Sequence, residues 1–336
     1  MSDPILVWGA GAIGGTIGAC WVRAGHDVVF VDAAPDHVRA MNAAGLAIEG
    51  PLDQFTVRAP AFTPEQVAGT FRRVVLAVKA HHTEGATRQL LPHLAPDGYV
   101  LSAQNGLNEL VIARIVGAKR TMGCFVNFGA DYLGPGRVIY AGRGAVVVGE
   151  IDGAITPRAE AMFTLLKQFE PEAVLTDNIW GYLWGKLGYG ALLFATALTN
   201  ASIADALASQ RHRAIFRRLA GEAMAVARAK GITPLGFNGY DPEAFLPGAP
   251  PERVERSFAA MIQHNRASAK SHSGIWRDLA VRKRKTEIDA QIAVIAAIGR
   301  EVGVATPTVE RLVGLIHDVE EGRRPMDWAT LDALGA

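Results

Sequence analysis

The sequence predicts an α/β chain in two parts: an N-terminal doubly wound parallel sheet, then an all-helical C-terminal domain. Three observations carry this. The chain opens on an apolar run, Ile5-Leu6-Val7-Trp8, that ends in a glycine turn. Short apolar runs then alternate with helical stretches as far as residue 176, the pattern of a sheet whose crossovers are helices. From Ile179 the period becomes almost wholly helical. The length of 336 residues also suits two cores, because single cores rarely grow beyond about 250–300 residues. The expected boundaries are 1–176, 177–325 and a polar tail over 326–336.

Gly9, Gly11 and Gly14 follow the first strand at the spacing G-x-G-x-x-G. The first glycine permits the sharp turn, the second lets a diphosphate approach the backbone, and the third lets a helix pack closely on the strand. A helix of small residues is expected over 16–24. The turn backbone at Gly9, Gly11, Ala12, Ile13 and Gly14 is then the candidate phosphate cradle. A second apolar strand, 27–31, ends at Asp32. That acid lies about twenty residues beyond the turn, where a carboxylate accepts hydrogen bonds from ribose hydroxyls. The chemistry implied is dinucleotide binding.

The remaining elements follow in order. A helix is expected over Pro35–Ala44, closed by Gly45, then a hairpin over 46–57 and a short helix over 64–70. The strand 74–78 carries Lys79 at its carboxyl end, where open parallel sheets bind ligands. A helix over 83–91 leads to a strand over 99–102 that runs into Asn105, itself in an Asn-Gly turn pair. After a helix over Asn108–Val116, strands at 122–128, 137–141 and 145–149 are expected to finish the same sheet. A helix over 157–170 and a strand over 173–175 close this half.

The second half opens on the most apolar helix, Ile179–Thr196, with Lys186 inside it. A charged lysine is costly to bury, and desolvation makes its ammonium a proton donor useful near neutrality. A lysine snorkelling at the helix edge is the alternative. Further helices are expected over 210–230, 251–263, 286–299 and 308–322. Thr286 and Asp289 match a capping box, which leaves Glu287 without a structural role. Ser273 and His272 lie in a polar loop, and the basic run 282–285 reads as a solvated patch.

Composition narrows the classes. With 49 % apolar residues the chain can bury sizeable cores, and a net charge of +1 gives no reason to expect nucleic-acid or membrane partners. Cys20 and Cys124 read as buried thiols of a reducing, cytoplasmic compartment. No leader is expected ahead of the first strand, and no apolar run reaches the roughly eighteen residues of a membrane span. His81-His82 lack further ligands at metal spacing, so no metal is expected.

Taken together, the glycine motif, Val78-Lys79-Ala80, Gln104-Asn105-Gly106, Trp184-Gly185-Lys186-Leu187, Thr286-Glu287-Ile288-Asp289 and Ala305-Thr306-Pro307 resemble the ketopantoate reductase (2-dehydropantoate 2-reductase) family. The resemblance covers nearly the whole chain. It implies a Rossmann-type domain followed by a helical domain like that of 6-phosphogluconate dehydrogenase, with the active site in the cleft between them. Lys186 is implied as general acid or base in carbonyl reduction or its reverse. Asn105 and Lys79 match residues at the nicotinamide and substrate, Glu287 the acid at the substrate hydroxyl, and Ser273 a residue of the loop that grips a substrate carboxylate.

Three departures from the family matter. Asparagines that follow the lysine in the family are replaced here at Gly190 and Phe194, giving a more apolar substrate site. The loop around Ser273 lacks the family's consecutive serines. Asp32 stands near where ketopantoate reductases place a basic residue for the NADPH 2′-phosphate. The expectation is an NAD-preferring dehydrogenase, with NADP possible, acting on a hydroxy acid or related alcohol more apolar than pantoate, as a homodimer. The alternatives are an NADPH-dependent 2-dehydropantoate 2-reductase of pantothenate synthesis and a dinucleotide-binding sensor without turnover.

Overall fold

The computed structural model describes residues 3–268 and 271–335. It forms two compact units, the first ending at Ile179 and the second beginning at Trp180.

The first unit contains strands β1 (Ile5–Trp8), β2 (Val28–Val31), β3 (Leu46–Glu49), β4 (Phe55–Val57), β5 (Ala61–Phe62), β6 (Phe71–Leu76), β7 (Leu94–Ser102), β8 (Thr121–Val126), β9 (Gly129–Gly134), β10 (Arg137–Gly142), β11 (Val146–Glu150) and β12 (Val174–Leu175). Its helices are α1 (Ala12–Arg23), α2 (Pro35–Ala44), α3 (Thr83–Leu90), α4 (Asn108–Val116) and α5 (Pro157–Phe169). The main sheet has the order β12-β11-β8-β7-β6-β1-β2-β5. It is parallel except where β11 runs against β8. From β1 the chain steps to β2 on one side and later to β6 on the other, so the order reverses at β1. Ligands of such sheets bind beyond the carboxyl ends of the strands at that reversal.

Both faces of the sheet are covered. Ile5 and Val7 join the core that contains Ile17 and Trp21 of α1 and Leu165 of α5. Leu6 and Trp8 join the opposite core, with Leu90 of α3 and Ile112 of α4. Burial on both faces is why β1 reads as a continuous apolar run. The Trp21 indole N–H donates to the Leu165 carbonyl over 2.8 Å, fastening α1 to α5.

Several expectations are corrected. The helix expected over 16–24 begins at Ala12, immediately after Gly11. Residues 64–66 form a turn, not a helix: Gln66 and Val67 both donate to the Thr63 carbonyl, and Gly69 at φ +88° follows. The strand near 137–141 does not finish the main sheet. As β10 it pairs parallel with β3 of the early hairpin, in a second sheet of order β4-β3-β10-β9. The partner β9 went unforeseen because its glycines and Asp131 weaken the strand signal.

The second unit is built from α6 (Ile179–Thr196), which starts at the boundary, α7 (Ile203–Ala208), α8 (Arg213–Ala229), α9 (Pro251–Ala267), α10 (Gly274–Ala280), α11 (Ile288–Gln291), α12 (Ala293–Val302), α13 (Pro307–Glu320) and α14 (Trp328–Asp332). Helix α8 packs on α12 and α13. Its Glu222 carboxylate accepts the N–H groups of Thr308 and Val309 over 3.0 and 2.9 Å, capping α13. The single helix expected over 286–299 is two, α11 and α12, broken at Ile292. The expected capping box does not form either: Glu320 accepts the Thr286 N–H over 2.7 Å, while Asp289 turns to His317. The expected polar tail folds back as α14 and buries Leu331 and Leu334, because its apolar residues recur at helical spacing. Residue 336 lies outside the described residues. Among the described residues, no helix is long and apolar enough to cross a membrane.

Candidate active site

The site residues expected from sequence fall on both units, and each group is built up within its own. In the first unit, β1 ends at Gly9, whose φ of +99° turns the chain sharply. A Cβ there would lie 2.8 Å from Ala77 and Val78, so the chain leaving β6 passes against the turn. A Cβ on Gly14 would lie 2.1 Å from the Gly9 carbonyl oxygen, so α1 starts closer to the turn than any side chain allows. Gly11 differs: no heavy atom lies within 4 Å of where its Cβ would sit. Gly11, Ala12 and Ile13 are partly accessible, and α1 starts with no side-chain cap. Free N–H groups at a helix start beside an open glycine backbone fit the diphosphate of a dinucleotide.

Asp32 stands at the end of β2, partly accessible. Its Oδ2 accepts the Ala10 N–H over 3.0 Å and its Oδ1 accepts the Ala34 N–H over 2.9 Å. Both bonds hold the carboxylate beside the turn. Arg39, the next arginine along the sequence, pairs with Asp36. The Tyr132 ring packs on His37 of α2, with ring centroids 5.2 Å apart, and burial, then the charges of Asp32 and Asp36, push its hydroxyl above the usual pKa.

Lys79 and Asn105 are exposed just beyond the carboxyl ends of β6 and β7. A chain of buried and half-buried hydrogen bonds joins their loops. The Gln104 amide donates to the Val78 carbonyl over 2.9 Å and to Thr83 Oγ1 over 2.8 Å. Thr83 donates to Asn108 Oδ1 over 2.8 Å, and the Asn108 amide donates to the Asn105 carbonyl over 2.6 Å. Sequence reasoning missed this network. Its signal was the density of polar residues directly after a strand, in Gln104-Asn105-Gly106-Leu107-Asn108.

In the second unit, α6 is buried along most of its surface, including Leu183, Trp184, Leu187 and Leu192. Tyr182, Lys186, Gly190 and Leu193 are more accessible and recur about one turn apart. They form one stripe, with Lys186 on it. Phe194, expected beside a substrate, is 1 % exposed and belongs to the interior. Eight residues beyond Lys186 is rotated about 80° from it along the helix, whereas seven is rotated about 20°. Leu193 takes the place on the stripe. No heavy atom lies within 4 Å of a Cβ built on Gly190.

Ser273 is buried at the start of α10, where its Oγ accepts the Trp276 N–H over 3.1 Å. The hydroxyl hydrogen is still available for donation. His272 packs on the Trp276 ring at 4.1 Å and bonds Ser271 and the Asn200 carbonyl, a structural set of partners. Glu287 is partly accessible and precedes α11. The peptides on either side of it are tied down, since Ile288 donates to Thr286 Oγ1 over 3.2 Å and Thr286 donates to Glu320. Among the described residues, no group of three or more His, Cys, Asp or Glu could hold a metal ion.

Comparison with known proteins adds to this geometry. The family profile described as ketopantoate reductase PanE/ApbA matches residues 5–153, and its C-terminal counterpart matches residues 178–320. A 2-dehydropantoate 2-reductase of Archaeoglobus fulgidus is 28 % identical over 95 % of this chain and 98 % of its own. A PanE/ApbA family ketopantoate reductase from Ralstonia eutropha JMP134 superposes with a TM-score of 0.79 at 26 % identity, covering 95 % of this chain and 99 % of that one. D-mandelate dehydrogenase, solved with NADH and anilino(oxo)acetate, superposes with a TM-score of 0.81 at 22 % identity, over 95 % and 98 % of the two chains, a likeness of fold.

Proposed function

The chain belongs to the ketopantoate reductase family, and from that premise we propose that it is an NAD(P)-dependent oxidoreductase interconverting a hydroxy acid and its oxo acid, with NAD preferred. When bound, the nicotinamide gives or takes the hydride. The chain's own residues do the rest. Gly11, Ala12 and Ile13 offer backbone N–H groups to the diphosphate, and Asp32 accepts from the adenosine ribose hydroxyls. Its fixed negative charge opposes a 2′-phosphate, which supports NAD over NADP. Asn105 and Lys79 orient the reacting groups, held by the Gln104 network. Lys186 gives a proton to the carbonyl oxygen in reduction and takes it from the hydroxyl in oxidation. Glu287 and Ser273 bind the substrate's polar groups, and Gly190 and Leu193 face its apolar part.

The observation that carries this reading is Lys186, an amine on the accessible stripe of an otherwise buried helix. Its neighbours on that stripe are Tyr182, Gly190 and Leu193, which supports a substrate with an apolar side chain. The test is a panel of 2-oxo and 2-hydroxy acids with both cofactors, run on the unaltered protein and on Lys186→Ala. The expected result is NADH-linked turnover that Lys186→Ala lowers about 10²–10⁴-fold while NADH binding persists. Undiminished turnover in Lys186→Ala rejects the assignment.

A second reading rests on the relatives' shared name, 2-dehydropantoate 2-reductase. Preferential reduction of ketopantoate with NADPH would establish it. Binding without turnover of any acid in the panel would leave a dinucleotide sensor. A homodimer is part of the same proposal, motivated by a family member from Staphylococcus aureus described as dimeric. So is residence in the cytoplasm.

A further inference from the structure

A histidine lies buried beneath the glycine turn of the first unit. His37, in the first turn of α2, is 1 % exposed. Gly136, between β9 and β10, donates its backbone N–H to His37 Nδ1 over 2.9 Å. A ring nitrogen that accepts carries no proton, so in the neutral ring the proton is on Nε2. Nε2 then donates to the carbonyl oxygen of Ala10 over 2.9 Å. The edge of Tyr132 packs on the imidazole, with ring centroids 5.2 Å apart.

Ala10 is the residue between Gly9 and Gly11, and both of its backbone polar groups are held by side chains beyond the turn. Its N–H goes to Asp32 and its carbonyl to His37. A trans peptide is planar, with the C=O of one residue and the N–H of the next pointing opposite ways. Pinning the Ala10 carbonyl toward the buried imidazole therefore aims the Gly11 N–H the other way, where a Cβ on Gly11 would meet nothing. We propose that His37 is the positioning residue of the cofactor's diphosphate: it sets the Ala10–Gly11 peptide, and through Gly136 it makes the second sheet a brace for the nucleotide turn. This rests on the dinucleotide-binding reading above.

The test compares two polar replacements. His37→Gln places an amide donor near the Nε2 position and keeps the bond to Ala10. His37→Asn places an oxygen near Nδ1 and loses that bond. NADH is titrated onto each by quenching of tryptophan fluorescence, with thermal midpoints recorded alongside. The expected result is a Kd raised about tenfold in His37→Asn and less than threefold in His37→Gln, with similar midpoints for both. Equal Kd values in the two variants, or Kd values that merely follow the midpoints, overturn the proposal. In the unaltered protein, nitrogen NMR is expected to show Nδ1 bare and Nε2 protonated, and the opposite tautomer overturns it too. Absence of any dinucleotide binding by the unaltered protein would instead reject the functional reading beneath it.

Discussion

Gln104 donates its amide to Thr83 Oγ1 over 2.8 Å and so ties the loop after β7 to the start of α3. With the second bond, to Val78, both amide hydrogens are spent on the chain that leaves β6. Gln104→Leu removes both donors from a buried position. The expected cost is about 1–3 kcal/mol in urea unfolding, with a raised KM for the cofactor as the loops of Lys79 and Asn105 part. Unchanged KM with full loss of stability would confine Gln104 to the fold.

Two backbone N–H groups hold the Asp32 carboxylate beside the turn. Asp32→Asn removes the charge at nearly the same volume. The ratio of kcat/KM for NADPH to that for NADH is expected to rise at least tenfold. An unchanged ratio would show that the carboxylate does not select the cofactor.

Gly190 is a mid-helix glycine that packing does not demand. In the same helix a Cβ on Gly185 would meet the Leu235 carbonyl at 1.9 Å, and one on Gly188 the Tyr240 hydroxyl at 2.2 Å, whereas Gly190 meets nothing. Gly190→Ala is expected to stabilise the protein by about 0.5–1 kcal/mol. It is also expected to lower kcat/KM about fivefold or more for oxo acids with bulky side chains, and little for pyruvate. Equal losses across the series would remove Gly190 from substrate selection.

His317 bonds Asp289 over 3.0 Å and Glu320 over 3.1 Å. Burial works against its charge, but the bonds and charges of Glu320 and Asp289 outweigh burial and hold its pKa above the ordinary value. A raised folded pKa means the stabilisation is complete below the unfolded pKa of about 6.5 and is lost as pH rises through the folded value. The thermal midpoint of the unaltered protein is therefore expected to fall across that window, and that of His317→Gln to fall less. Parallel profiles for the two would reject the assignment.

Local signals in the sequence carried much of the fold. The helix Pro35–Ala44 has proline at its start and Gly45 after its end, and Ile179–Thr196 is the most apolar stretch of the chain, interrupted by Lys186. Features made by distant partners were hidden. Strand β10 could be assigned to a sheet only by knowing that it pairs with β3, far back in the chain. The site divides the same way. The glycine turn, Asp32, Lys79, Asn105 and Lys186 stand out by motif and position. His37 does not, because a lone helical histidine says nothing of Gly136, a long way downstream.

The chain passes from the first unit to the second once, between Ile179 and Trp180. Each is thus one uninterrupted stretch of sequence, and so of coding DNA. One crossover near that junction exchanges the half that carries Asp32 for another without breaking a strand or a core cluster of the first unit. On the roles proposed for Asp32 and Lys186, chimaeras joined there would combine one parent's cofactor turn with the other's proton donor.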